Sequence, residues 1–112
     1  MRPSHRSALR RAKARLDRLD LYPAPVRLEG VRILVTPWLF RLPRLRRYSG
    51  YALVRTILLR RADSSDDLIT HELCHVWQMQ HRPLRVPIAY LTSRYASNPY
   101  EVEARQSVAL TR

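Results

Sequence analysis

ADSSDDLITHELCHVWQMQH, residues 62–81, opens like a helix and continues like one. Ser64 is placed to cap it, with Asp67 three residues on and further acids in the first turn, where free N–H groups and the positive end of the helix dipole favour them. Leu68, Ile69, Leu73, Val76 and Trp77 then recur at helical spacing, and Pro83 ends the run. The pattern predicts a helix over 68–80. Three polar residues, His71, Glu72 and His75, are wedged between these apolar positions, and polar groups set among buried faces need partners.

Upstream, YALVRTILLRR (51–61) carries Val, Thr and Ile that suit a pleated surface and reads as a strand, with Arg60 and Arg61 at its exposed end. LPRLRRYSG (42–50) reads as a basic loop, and VRLEGVRILVTPWLF (26–40) as one or two strands broken by Gly30 and Pro37. Residues 4–20 form a further helix with an apolar stripe of Leu9, Ala12, Leu16 and Leu19, stopped by the prolines of LYPAPV (21–26). Downstream, VPIAYLTSRYA (86–96) reads as a short helix. NPYEVEARQSVALTR (98–112) reads as a last one, capped by Asn98 with Pro99 at its first position. Helix, strands, then three helices make an α+β arrangement with a small, mainly antiparallel sheet. A chain of 112 residues fits one domain, 1–112.

No stretch approaches the ~20 consecutive apolar residues of a membrane span, and the basic N-terminus is followed by no apolar signal region. With Cys74 as the only cysteine, no internal disulfide forms, and the expected compartment is a reducing cytoplasm. The net charge of +12 is almost all arginine. Seven Lys/Arg fall within positions 1–20, and seven arginines lie between Arg41 and Arg61 with no acid among them. Such a surface attracts acidic partners in a salt-dependent way. No helix-turn-helix, zinc-finger or RNA-recognition signature accompanies it, so nucleic acid is not the expected primary partner.

His71-Glu72-Leu73-Cys74-His75 matches H-E-x-x-H. Histidines four apart on a helix share a face, displaced ~6 Å along the axis, and both imidazoles can converge on one metal ion. Glu72 lies ~100° around from His71, close enough to reach a water on that metal without ligating it. The motif arises by chance in on the order of one in a few hundred chains of this size, so its setting in a capped helix matters as much as its letters. A zinc site that does chemistry has three protein ligands and an open fourth position. Three residues downstream are candidates for the third. His81, ten residues after His71, needs a sharp turn that Gln78 disfavours where a glycine would permit it. Glu101 lies on the last helix with small Ala104 on the same face, which allows close approach of two helices; Asn98-x-x-Glu101 is equally a capping-box spacing. Glu103 points ~200° away from Glu101.

HELCHVWQ followed by a helix of the form NPYEVEA resembles the gluzincin zinc metallopeptidases, in size their minimal single-domain forms, the minigluzincins. The resemblance covers roughly residues 50–108. It implies a zincin-like domain binding one Zn2+, with His71, His75 and Glu101 as ligands and Glu72 as general base. It also implies hydrolysis of a peptide or protein substrate, and a rim strand within 51–61 on whose free edge that substrate pairs. Larger members close the cleft with a second lobe that supplies a transition-state-stabilising Tyr, His or Arg. Here Tyr90, Tyr95, Tyr100 and Arg105 are available, and none is singled out.

Cys74 lies ~80° off the histidine stripe and reads as a small buried residue, Val76 and Trp77 as core, and His5 as solvated. Trp38 and Phe40 fit either the core or a cleft wall. Two rival functions are a non-catalytic module in which zinc ties the late helices together, and a basic binder of nucleic acid or acidic protein carrying an incidental motif.

Overall fold

The motif helix is capped by Ser65 rather than Ser64. In the computed structural model, which describes residues 1–112, Ser65 Oγ accepts from Leu68 N–H at 3.1 Å, whereas Ser64 turns back to donate to the Arg61 carbonyl. The helix therefore starts earlier than the apolar pattern indicates. The elements in order are α1 (Pro3–Leu16), β1 (Arg32–Val35), a 3-10 turn (Leu39–Arg41), β2 (Gly50–Leu53), β3 (Thr56–Leu59), α2 (Asp66–His81), α3 (Arg85–Thr92), a 3-10 turn (Tyr95–Ser97) and α4 (Pro99–Thr111). The class is α+β.

Three details depart from the sequence reading. The stretch 51–61 is a hairpin, not one strand, because Val54 takes a left-handed φ of +57° and reverses the chain between β2 and β3. The sheet, in order β1-β3-β2, is mixed rather than mainly antiparallel: β1 runs parallel to β3, and β2 antiparallel. The first helix ends at Leu16, where the chain tightens through Arg18 N–H to Arg15 and Leu19 N–H to Leu16. Leu19 still packs against the core from beyond the helix end.

One face of the sheet, carrying Ile33, Ile57 and Leu59, packs with α1 and α2 around the core. Leu9, Ala12 and Leu16 of α1 meet Ile69, Leu73 and Trp77 of α2 there. The Trp77 indole donates to the Ala24 carbonyl at 2.9 Å, which holds the proline-rich connection against α2. Val76 and Cys74 are buried as expected, and burial pushes the Cys74 thiol up to about 12. His5 is not solvated: it is buried, with Nε2 3.1 Å from the Ala62 carbonyl. Phe40 is buried and Trp38 is 64% exposed, which separates two residues the sequence left equivalent. Arg60 is not an exposed strand end either. Its guanidinium donates to the carbonyls of Phe40, Leu45 and Tyr48 and lies 5.5 Å from the Phe40 ring centre, pinning the 40–48 loop. No helix is long and apolar enough to cross a membrane.

Candidate metal centre

His71 and His75 stand one turn apart on α2, and α4 crosses beneath them. Asn98 starts α4, its side chain accepting from Tyr100 N–H at 2.9 Å with Pro99 in the first turn. Ala104 is fully buried at the crossing and Ser107 Oγ lies 3.7 Å from Cys74 Sγ, so two small residues allow the helices to close. That approach delivers Glu101. Its carboxylate lies 2.8 Å from His71 Nε2 through one oxygen and 2.9 Å from His75 Nε2 through the other. The capping-box alternative is therefore not adopted: Asn98 caps the helix without Glu101 turning back.

The two imidazole Nε2 atoms are 3.2 Å apart, and all three ligand atoms lie within 4.8 Å of one another. Ligands ~2.0–2.1 Å from a tetrahedral zinc would be separated by ~3.3 Å, so the donor set needs to spread by only about half an ångström. The tautomer fits as well. His75 Nδ1 is 2.8 Å from Gln78 Oε1. The Gln78 amide nitrogen donates to the Tyr100 carbonyl at 2.8 Å and to Glu103 at 3.1 Å, so its oxygen must face the ring. His75 then donates from Nδ1 and presents a lone pair at Nε2, as a metal ligand requires. His71, His75 and Glu101 can hold a metal ion.

Glu103 instead accepts from Tyr22 Oη at 2.6 Å and from Gln78, and His81 stacks on Tyr22 with ring centres 5.1 Å apart. Neither joins the cluster. Three potential metal donors are gathered here, His71, His75 and Glu101.

Glu72 stands beside the cluster without contributing to it. It is 5% exposed, and burial raises its carboxyl above the usual range, against the pull of His75 and His71. It lies against Gly50 at the start of β2, where a Cβ would come within 3.3 Å of Glu72 Cγ and Oε2. A side chain at this position would press the Glu72 carboxylate aside by a few tenths of an ångström. Burial also opposes ionisation of Glu101, but its bonds to His71 and His75 outweigh that and hold it well below the usual carboxylate range. Burial works against a proton on His75, and the contacts with Glu101 and Glu72 nevertheless raise it.

Of the four residues the sequence left undifferentiated, Tyr90 is the one bonded into the site. Its hydroxyl donates to Glu101 at 3.1 Å, and its ring centre is 6.1 Å from that of His75. Tyr95 follows, 6.1 Å from Tyr90, and burial followed by the charge of Glu101 raises both phenols. Arg105 is more remote, 3.9 Å from Glu101, and Tyr100 contributes its carbonyl. Sequence reasoning missed Gln78 as a partner of His75, although its place three residues on the same helix face signals it. Nothing in the sequence signals Gly50, and nothing in it separates Tyr90 from the other three candidates. Compared with protein-family models, curated proteins and solved structures, the chain matches none.

Proposed function

We propose that the chain is a zinc-dependent metallopeptidase, with His71, His75 and Glu101 holding one Zn2+ and Glu72 acting as general base. The observation that carries the reading is the division of labour among four polar residues, three of them buried and His71 half-buried. Three converge with their donor atoms, and a fourth, Glu72, is held next to them as a desolvated carboxylate that is not one of the donors. A purely structural zinc site is usually closed by four protein ligands, and Glu103 and Cys74 are engaged elsewhere.

Zinc held there would supply Lewis acidity to a scissile carbonyl and to a water beside it. Glu72 removes a proton from that water as its oxygen bonds to the carbonyl carbon, and passes the proton to the amine nitrogen as the C–N bond breaks. Its raised proton affinity suits both halves of the task. Tyr90 orients Glu101 through its hydroxyl. β2 supports a peptide rather than a small ester as substrate. Arg60 N–H bonds to Ser49 O, and the register pairs Tyr51 with Leu58 and Leu53 with Thr56. By alternation, the N–H and C=O groups of Gly50 and Ala52 face the open edge of the sheet, beside Glu72, where an extended chain can pair.

The test is metal content together with turnover. The purified protein should carry one zinc per chain, lost in His75→Ala and in Glu101→Ala. Glu72→Gln should keep the zinc and lose cleavage of an unfolded protein. Equal inertness of wild type and Glu72→Gln across a wide range of polypeptides would sink the catalytic assignment.

A further inference from the structure

A sizeable cavity lies away from the metal centre, on the opposite face of the sheet. It encloses about 570 Å3 and is walled by Leu39, Leu42, Leu45, Tyr51, Leu53 and Leu58. That volume falls within the ~300–1,000 Å3 of sites that bind small ligands or side chains. The walls are apolar, and several stay exposed: Leu42 at 50% and Leu53 at 57%. No helix covers this face; the residues over it belong to the 36–49 connection, whose shape Arg60 fixes through three loop carbonyls.

We propose that this cavity is a specificity subsite, taking a large apolar side chain of an extended peptide paired on the open edge of β2. The proposal rests on the peptidase reading for the identity of that peptide. Its geometry follows from the period of a strand. Residues of an added strand that lie opposite Gly50 and Ala52 send their side chains toward the metal face. Those opposite Tyr51 and Leu53 send theirs to the outer face, where these two side chains form the near wall of the cavity. One peptide thus meets the metal centre with one residue and the cavity with the next.

The charge around it defines the neighbours of that residue. Arg44 is part of the lining, and Arg41, Arg46 and Arg47 lie within three residues of it in sequence, none of them in an ion pair. On the N-terminal helix, Arg11 is paired with Asp66 and Arg15 with Asp67, while Arg6 and Arg10 are unpaired. The connection that walls the apolar cavity therefore carries four arginines with no acid paired to them. A segment carrying a Leu or Phe among Asp and Glu complements both features.

The experiment uses the full-length, zinc-loaded Glu72→Gln protein and fluorescein-labelled ten-residue peptides read by anisotropy. The host is an alternating Glu/Thr peptide with a central Phe; a second has Ala at the centre, and a third has Lys for Glu. The Phe peptide should bind on the order of tenfold or more tighter than the Ala peptide, the worth of one buried aromatic side chain. The Lys peptide should bind weakest. Leu42→Ser and Leu53→Ser, each checked for unchanged zinc content and melting, should remove the preference for Phe. Equal affinity for Phe and Ala peptides, or a preference that survives both substitutions, overturns the subsite. So does a dimer in sedimentation that Leu42→Ser dissociates, or pelleting with phosphatidylserine vesicles that Leu42→Ser and Leu53→Ser abolish. Those results assign the face to a second copy or to a lipid surface. The two readings fail separately. Discrimination by a chain that never cleaves overturns the peptidase and keeps the cavity, and cleavage of Phe and Ala peptides at equal efficiency does the reverse.

Discussion

At residue 78 a glutamine occupies the place where a sharp exit from the helix would have needed glycine, and its side chain has a second consequence. It accepts from His75 Nδ1 while its amide nitrogen is taken by Tyr100 and Glu103, so the imidazole is held in one tautomer and one orientation. Gln78→Leu should lower zinc affinity ~10–100-fold, the usual cost of removing a partner of a metal-ligating histidine. Gln78→Glu restores the acceptor but sets a carboxylate against Glu103 and a carbonyl. It should recover most of the affinity and still melt lower. Chelator competition and thermal denaturation separate the two, and unchanged affinity in Gln78→Leu would remove Gln78 from the site. His71, Glu72 and His75 were legible because their relation is local, fixed by 3.6 residues per turn. Glu101 was narrowed by a small residue one turn on, Ala104. Gly50 was not legible, and Tyr90 could not be told from the other three candidates, because their relation to the site exists only once the hairpin and α3 have packed.

Among the elements, the hairpin is where local preference and tertiary structure disagree most. Val54 is β-branched and exposed, yet holds a left-handed backbone in the two-residue turn between β2 and β3. A continuous run of Val, Thr and Ile reads as one strand, so the reversal was invisible to a reading based on composition. The turn is imposed by the pairing of Leu58 with Tyr51 and by burial of Ile57 and Leu59, which together stabilise the hairpin by more than the strain at one residue costs. Left-handed backbone costs an L-residue roughly 1–2 kcal/mol, and asparagine tolerates it better than valine. Val54→Asn should therefore raise unfolding stability by about 1 kcal/mol in urea titrations with zinc content unaltered. A loss of stability would mean that the Val54 side chain makes contacts worth more than the strain. The helix ends were more legible than the strand turn. Asn98 and Pro99 were read correctly from the letters, and Ser64 missed the true cap by one residue because three adjacent positions, Ser64, Ser65 and Asp66, could each serve.

On the scale of the whole molecule, the candidate metal cluster joins α2 to α4, whereas the core is built mainly from α1, α2 and the sheet, with Leu16, Ile57 and Leu73 fully buried. Chelation should lower the melting temperature yet leave a cooperative transition, since a ligand at one hundred times its Kd contributes only ~2.7 kcal/mol. Complete unfolding of the apo protein would favour zinc as a structural tie. A second connection between the same elements is electrostatic. Asp67, at the start of α2, accepts from Arg112 after the end of α4 and from Arg15 of α1, at 2.9 Å each, and these bonds hold its carboxyl below the usual range. A carboxyl depressed on folding stabilises the native state above its unfolded pKa of ~3.9 and loses that contribution as pH falls through its folded value. Asp67 is 42% exposed, so solvent screens the pair and the effect is small. Asp67→Asn should thus melt a few degrees lower at pH 7, with the difference closing below about pH 4 and shrinking in 1 M salt. A gap that persists unchanged at pH 2 would assign the loss to packing at the helix start, not to the charge that ties both chain ends to the motif helix.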